Sequence, residues 1–183
     1  LRIYQGVDLA ISKRDTADYF AVVTVGLDRR RNIYVLDVLQ RRLSFHQQTN
    51  VIAAKFEAYD PIQTVIESNA YQAAQLDELK RLTNVRVKPI ITTKDKTTRY
   101  LKLSARFEAG QVFLRRGVME DLIEQLLLAP EGAHDDLLDA LDFAVTEAFD
   151  QPEGCGEVTV RVIGGTSTPG AFGRIRRLDR LTW

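Results

Sequence analysis

Apolar and polar positions alternate along residues 2–10, with Ile3, Val7 and Leu9 on one side, and predict a strand. Residues 19–27 and 32–39 are rich in valine and aromatic side chains and predict two more, joined by a turn from Gly26 to Arg31. Strands linked by such short loops are antiparallel neighbours. Ser44 followed by Gln47 is a capping-box pair, so a helix is expected over residues 45–59, with Pro61 ending it. Beyond it the pattern predicts a short buried strand at 64–66, a helix at 70–82 (Ala73, Leu76, Leu79, Leu82) and a strand at 85–91. A basic helix at 97–109, a short strand at 112–114 and a helix at 118–128 follow, and Pro130-Glu131-Gly132 breaks the chain before a last helix at 134–149.

Three strands in a meander, followed by alternating helices and strands, predict an α/β domain over residues 1–150: a mixed central sheet with helices on both faces. Residues 151–183 differ in composition, with six glycines and two prolines, and read as a tail holding at most one added strand at 158–163.

The 183 residues are 45% apolar, enough for a core and too much for a disordered chain. No run reaches the roughly 18–20 apolar residues of a membrane helix, and no secretory signal is visible. A single cysteine, Cys155, excludes an internal disulfide and a cysteine-rich zinc site, and two histidines leave little for zinc on imidazole. A soluble cytosolic domain with no membrane partner is expected. The start at Leu1 suggests a piece of a longer chain.

Charge changes this picture. The formal net charge is zero, yet residues 80–116 carry eleven basic side chains against Asp95 and Glu108, a local balance of +9. Residues 117–157 carry twelve carboxylates and no lysine or arginine. Such segregation fits a basic surface for a polyanion beside an acidic site for a cation, and equally two segments that pack together and neutralise each other.

Three carboxylate positions carry the candidate chemistry. Asp8 alternates with Val7 and Leu9 in an otherwise apolar strand, where a carboxylate must find a partner or shift its pKa. Glu67 lies where a buried strand leaves the sheet, a usual place for functional side chains in α/β folds, though also one for a plain loop glutamate. The third is His134-Asp135-Asp136-Leu137-Leu138-Asp139, opening the last helix. On a helical projection Asp135, Asp139 and Asp142 share one stripe opposite Leu137, Leu138, Leu141 and Val145, and read as the solvated face. Asp136 lies at the margin of the core face and is the better ligand candidate, with Asp135 the fallback. Aspartates in a first turn would also simply complement the helix dipole. If the three positions converge, a hard divalent cation resolves their repulsion, and two ions about 3.5–4 Å apart can hydrolyse a phosphodiester.

The segments Gly6-Val7-Asp8-Leu9-Ala10, Val65-Ile66-Glu67-Ser68-Asn69 and the run from His134 to Leu141 resemble the nuclease domain of tailed-phage terminase large subunits, in the ribonuclease H-like superfamily. Thr93-Lys94-Asp95-Lys96-Thr97-Thr98-Arg99 and the stretch from Phe107 to Leu114 are similar too, so the likeness runs in order over residues 3–149. The resemblance implies a ribonuclease H-like fold and a DNA endonuclease that begins and ends genome packaging at the viral prohead in the host cytoplasm. It implies Mg²⁺ or Mn²⁺ as cofactor, as two ions bridged by Asp8 and completed by Glu67 and Asp136, with Asp135 near the second. Lys94, Lys96, Arg99 and Lys102 would touch double-stranded DNA. Further partners would be the ATPase module of the same polypeptide, the portal and the small terminase subunit. No Gly-x-x-x-x-Gly-Lys-Ser/Thr loop occurs, so no ATP hydrolysis is expected from this chain. A junction resolvase or transposase would use similar carboxylates, and a non-catalytic DNA-binding or docking module would need them to be surface charge. Residues 8–18 contain no glycine, which argues against a sugar-kinase or actin-like phosphate hairpin.

Overall fold

A computed structural model of the chain describes residues 1–10, 19–68, 73–92, 95–129, 131–132 and 134–151. Six strands and five helices lie among them: β1 (Arg2–Asp8), β2 (Phe20–Leu27), β3 (Ile33–Arg41), α1 (Phe45–Tyr59), β4 (Gln63–Glu67), α2 (Ala73–Leu82), β5 (Val87–Ile90), α3 (Lys96–Glu108), β6 (Val112–Phe113), α4 (Glu120–Leu128) and α5 (Asp136–Asp150). The tail beyond Gln151, with the candidate strand at 158–163, lies outside the described residues, as does Lys94.

The strands form one sheet in the order β5-β4-β1-β2-β3-β6. β1, β2 and β3 are the expected antiparallel meander, while β4 joins β1, β5 joins β4 and β6 joins β3 in parallel. The register of β3 slips at one point: Val25 opposes Val35 and Thr24 opposes Asp37, which leaves Leu36 as an extra residue. Side chains alternate across a strand, so the slip turns even-numbered residues after Leu36 to the side that Ile33 and Val35 face before it.

Each face has its own core. Tyr4, Ala21, Val23, Val25, Ile33 and Val35 pack against Leu103 of α3, Leu122 of α4 and Leu137, Leu141 and Val145 of α5. On the other face Val7, Leu9, Phe20, Val22 and Ile66 pack against Ile52 and Phe56 of α1 and Leu76 and Leu79 of α2. Helix α1 begins where the sequence places it: the Ser44 amide donates to Gln47 Oε1 at 2.9 Å. It ends at Asp60, a left-handed C-cap with φ 46° whose amide bonds Phe56 O.

Gly6 sets the depth at which α5 lies on the sheet. A Cβ at that position would stand 1.9 Å from Ala140 O and 2.8 Å from Ala144 N, so the helix backbone rests directly on the strand backbone. Eleven of the fifteen residues of α5 are buried. Asp8 lies two residues beyond Gly6 on the same side of β1, beneath the first turns of α5. No described helix is long and apolar enough to cross a membrane.

Candidate active site

Asp8 ends β1 at the centre of the sheet, and the parallel register pairing Val7 with Ile66 puts Glu67 of β4 beside it on the α5 face. The start of α5 brings Asp136 and Asp139 over the same spot. The Asp8 carboxyl is pushed up to about 8, first by burial and then by the charges of Asp139, Asp136 and Glu67, with Lys96 pulling the other way. Burial and the Asp139 charge also raise Glu67, whose Oε1 accepts a short hydrogen bond from Thr92 Oγ1. Asp136 is raised by burial and the neighbouring Asp135 charge, against its hydrogen bond from Gln40 Nε2 at 2.9 Å. Asp8 thus lies within electrostatic reach of Glu67 and Asp136, and of Asp139 besides.

Asp139 corrects the helical-face reading. The stripe formed by Asp135, Asp139 and Asp142 is not a solvated face, for Asp139 and Asp142 are buried. It meets a matching stripe on α3. Arg99 donates from Nη2 to Asp139 at 2.5 Å and from Nη1 to Asp142 at 3.1 Å, and Tyr100 donates its hydroxyl to Asp139 at 3.0 Å and Asp135 at 3.2 Å. Lys96 Nζ lies 2.6 Å from Asp135 and 3.0 Å from Asp139. Residues three and four apart on one helix therefore face residues four and seven apart on the other. Helical periodicity separates polar from apolar arcs but does not distinguish water from a cationic partner helix. The signal that finds the seam is the pairing of the +9 segment with the acidic segment after it.

The basic residues divide accordingly. Arg99 is buried and its charge is spent on Asp139 and Asp142; burial opposes that charge, but the two carboxylates more than offset it and raise its pKa. Expected as a DNA contact, Arg99 stands here as an internal counter-charge. Lys96 has a side chain 52% exposed, at the rim over Asp135. Burial lowers its pKa less than its bonds to Asp135 and Asp139 raise it. Lys102 is exposed on α3. His134 stacks edge-on against Tyr19 at 4.9 Å, and the Arg42 guanidinium covers the other ring at 4.5 Å.

All the gathered donors are carboxylate oxygens, the set a hard divalent cation prefers, and a buried like-charge cluster has its repulsion relieved by such an ion. Among the described residues no three acidic, histidine or cysteine side chains are drawn together into a ready ion cage. Glu67 is turned onto Thr92 and Asp139 onto α3. Gln40 and Tyr100, which hold these carboxylates, and Gln125, which bonds Gln40, carry no signal in the sequence, because their pairing depends on how distant elements pack.

Three comparisons bear on this arrangement. The family model of the terminase RNaseH-like domain matches residues 5–148. No curated protein sequence matches the chain. Among solved structures, the large terminase nuclease from thermophilic phage G20c with bound zinc is similar at 18% identity and a TM-score of 0.65, over 79% of this chain and 80% of that one. The same nuclease with bound magnesium gives a TM-score of 0.62. The large terminase of bacteriophage HK97 is similar at 14% identity and a TM-score of 0.60, over 80% of this chain and 39% of its own. The yeast mitochondrial Holliday junction resolvase Ydc2 is similar at 11% identity and a TM-score of 0.52, over 78% of this chain and 77% of that one. The mixed sheet and flanking helices are thus a ribonuclease H-like fold.

Proposed function

The chain belongs to the terminase RNaseH-like domain family, and from that membership and the site we propose a divalent-metal-dependent endonuclease that cuts double-stranded DNA during viral genome packaging. The observation that carries the reading is Asp8: a carboxyl at the centre of the sheet, pushed up to about 8 by burial and by three other carboxylates. Such a group is costly to a fold and is characteristic of catalytic sites.

Asp8, Glu67 and Asp136 would hold the metal, Mg²⁺ or Mn²⁺ as two ions, with Asp135 and Asp139 at its margin. When bound, the metal supplies the charge that lets these carboxylates share a pocket and the Lewis acidity that activates water toward a phosphodiester. The chain does the rest. On metal binding Asp8 would release its proton to solvent and offer its carboxylate from the sheet. Glu67 would turn from Thr92, and Asp136 is oriented by Gln40, whose hydrogen bond favours the carboxylate against the burial that raises its pKa. Arg99 and Tyr100 hold Asp139 in place, so that α5 keeps its carboxylates over Asp8. Lys96, half-exposed at the rim, is the cation best placed to exchange its bond to Asp135 for a DNA phosphate, with Lys94 and Lys102 as further DNA contacts in this reading. In this reading the domain acts at the prohead in the host cytoplasm, with the ATPase module of the same polypeptide, the portal and the small terminase subunit as partners.

Supercoiled plasmid incubated with the protein and Mn²⁺, Mg²⁺ or EDTA tests the reading. Nicking and linearisation with either metal, absent with EDTA and lost in Asp8→Asn, is the expected result. Cleavage that survives EDTA, or that Asp8→Asn retains, would overturn it. A preference for four-way junctions over linear duplex would favour a resolvase instead, the class of the Ydc2 relative.

A further inference from the structure

The first turn of α5 leaves backbone N–H groups that need acceptors, and its N-cap residue, Asp135, supplies no side-chain cap. The acceptor comes from α4. Leu137 and Leu138 donate their amide hydrogens to Gln125 Oε1, at 3.0 and 3.4 Å. Gln125 then donates from Nε2 to Gln40 Oε1 at 3.0 Å, and Gln40 donates from Nε2 to Asp136 Oδ2 at 2.9 Å.

The direction of this chain is not a free choice. A backbone N–H only donates, so the oxygen of Gln125 must face α5 and its nitrogen must point away. That nitrogen takes up the oxygen of Gln40, which leaves only the Gln40 nitrogen for the carboxylate. Turning over either amide alone would set donor against donor or acceptor against acceptor. The β3 slip is equally necessary: were Leu36 paired in regular register rather than bulged, Gln40 would face α1, as Asp37 does in its ion pair with Lys55.

We propose that Gln125 and Gln40 are positioning residues, a two-amide relay that transmits the polarity of the α5 N-terminus to Asp136 and fixes its carboxylate toward the cation site. The relay rests on the nuclease reading for what Asp136 does, but not for its own geometry. It holds one oxygen of Asp136 and leaves the other outside the relay. Side chains that orient a metal-binding carboxylate typically change metal affinity or activity by about 10- to 100-fold when altered.

Gln125→Glu separates relay from helix cap. A carboxylate at 125 still accepts from Leu137 and Leu138 and adds favourable charge at a helix N-terminus, but has no proton for Gln40. Gln40 then turns its nitrogen toward residue 125 and its oxygen toward Asp136. The expected result is an undiminished melting temperature with Mn²⁺ affinity, read by calorimetry without DNA, weakened about tenfold. Coulomb attraction alone would move affinity the other way, since the variant adds negative charge. Gln40→Leu should produce the same loss, and the two changes together no further loss, because both cut one chain. Wild-type Mn²⁺ affinity in Gln125→Glu and Gln40→Leu would overturn the proposal and leave Gln125 a cap. If the wild-type protein neither binds Mn²⁺ nor cleaves DNA, it is the nuclease reading that fails. The relay is then judged by the Gln40 side-chain amide resonances, which must move in Gln125→Glu; resonances that stay in place refute it.

Discussion

On the face of the sheet covered by α1 and α2, the buried polar side chains are neutral and serve one another. Gln5 takes a hydrogen bond from Thr64 and gives one to Thr24, each at 3.3 Å, which ties the three central strands together. Gln48 reaches Leu43 O and accepts from Gln75. On the face covered by α5 the buried polar groups, Gln125 apart, are charged: Asp139 and Asp142 around Arg99, Glu147 against Lys88, and Asp8 among three carboxylates. Both faces close an apolar core, so packing does not require the charges. A neutral amide is satisfied by one or two hydrogen bonds, whereas a buried ion needs a counter-charge and still costs desolvation. The face that accepts this cost is the one that carries the candidate site.

The contrast breaks most sharply at Asp8. Asp8→Asn should lower metal-dependent cleavage by more than the roughly 100-fold expected of an outer-shell change, since it removes a ligand rather than its support. The same variant should stabilise the metal-free protein. Folding raises the Asp8 pKa from 3.8 to about 8, so the folded state holds the proton more tightly; the stability this adds is complete below pH 4 and is lost as pH rises toward 8. Urea unfolding at pH 5 and pH 8 should therefore show a decline in the wild type that is smaller in Asp8→Asn. An equal decline in both would place the strain elsewhere.

Arg99→Met comes next, because it leaves Asp142 buried without its Arg99 counter-charge and Asp139 with Lys96 alone, and should cost about 3–5 kcal/mol in urea unfolding. A loss under 1 kcal/mol would mean that water reaches the seam. Gly6→Ala should cost about 3 kcal/mol, since the new methyl meets helix backbone that has no rotamer with which to yield, and should lower cleavage by lifting α5 from Asp8. On the neutral face, Gln5→Met removes an amide of similar length and should cost only about 1–2 kcal/mol with cleavage unchanged. Cleavage that falls with Gln5→Met would show that the two faces are not functionally separate.

Much of this was legible from residues alone where one element decides. Ser44, Gln47 and Pro61 bound α1, and the alternation of Val7, Asp8 and Leu9 singled out a carboxylate on the far side of an apolar strand. Features that two elements decide together were not legible. Asp139 reads as solvated until α3 is laid beside α5, since Arg99 and water satisfy the same polar arc. The slip at Leu36 has no turn residue to announce it, yet it determines which face Gln40 sees. Gly6 stands in the sequence as an ordinary strand glycine, and only the helix above it shows why a side chain is excluded.

The most direct test of the cation site is Mn²⁺ titration by calorimetry at pH 7 in two buffers of different ionisation enthalpy, for the wild type and Asp8→Asn. At that pH Asp8 is mostly protonated without metal, so binding should release close to one proton in the wild type. In Asp8→Asn both the binding and the proton release should be lost. Mn²⁺ bound equally well by Asp8→Asn, or bound by neither protein, would contradict a carboxylate cluster held ready for a cation.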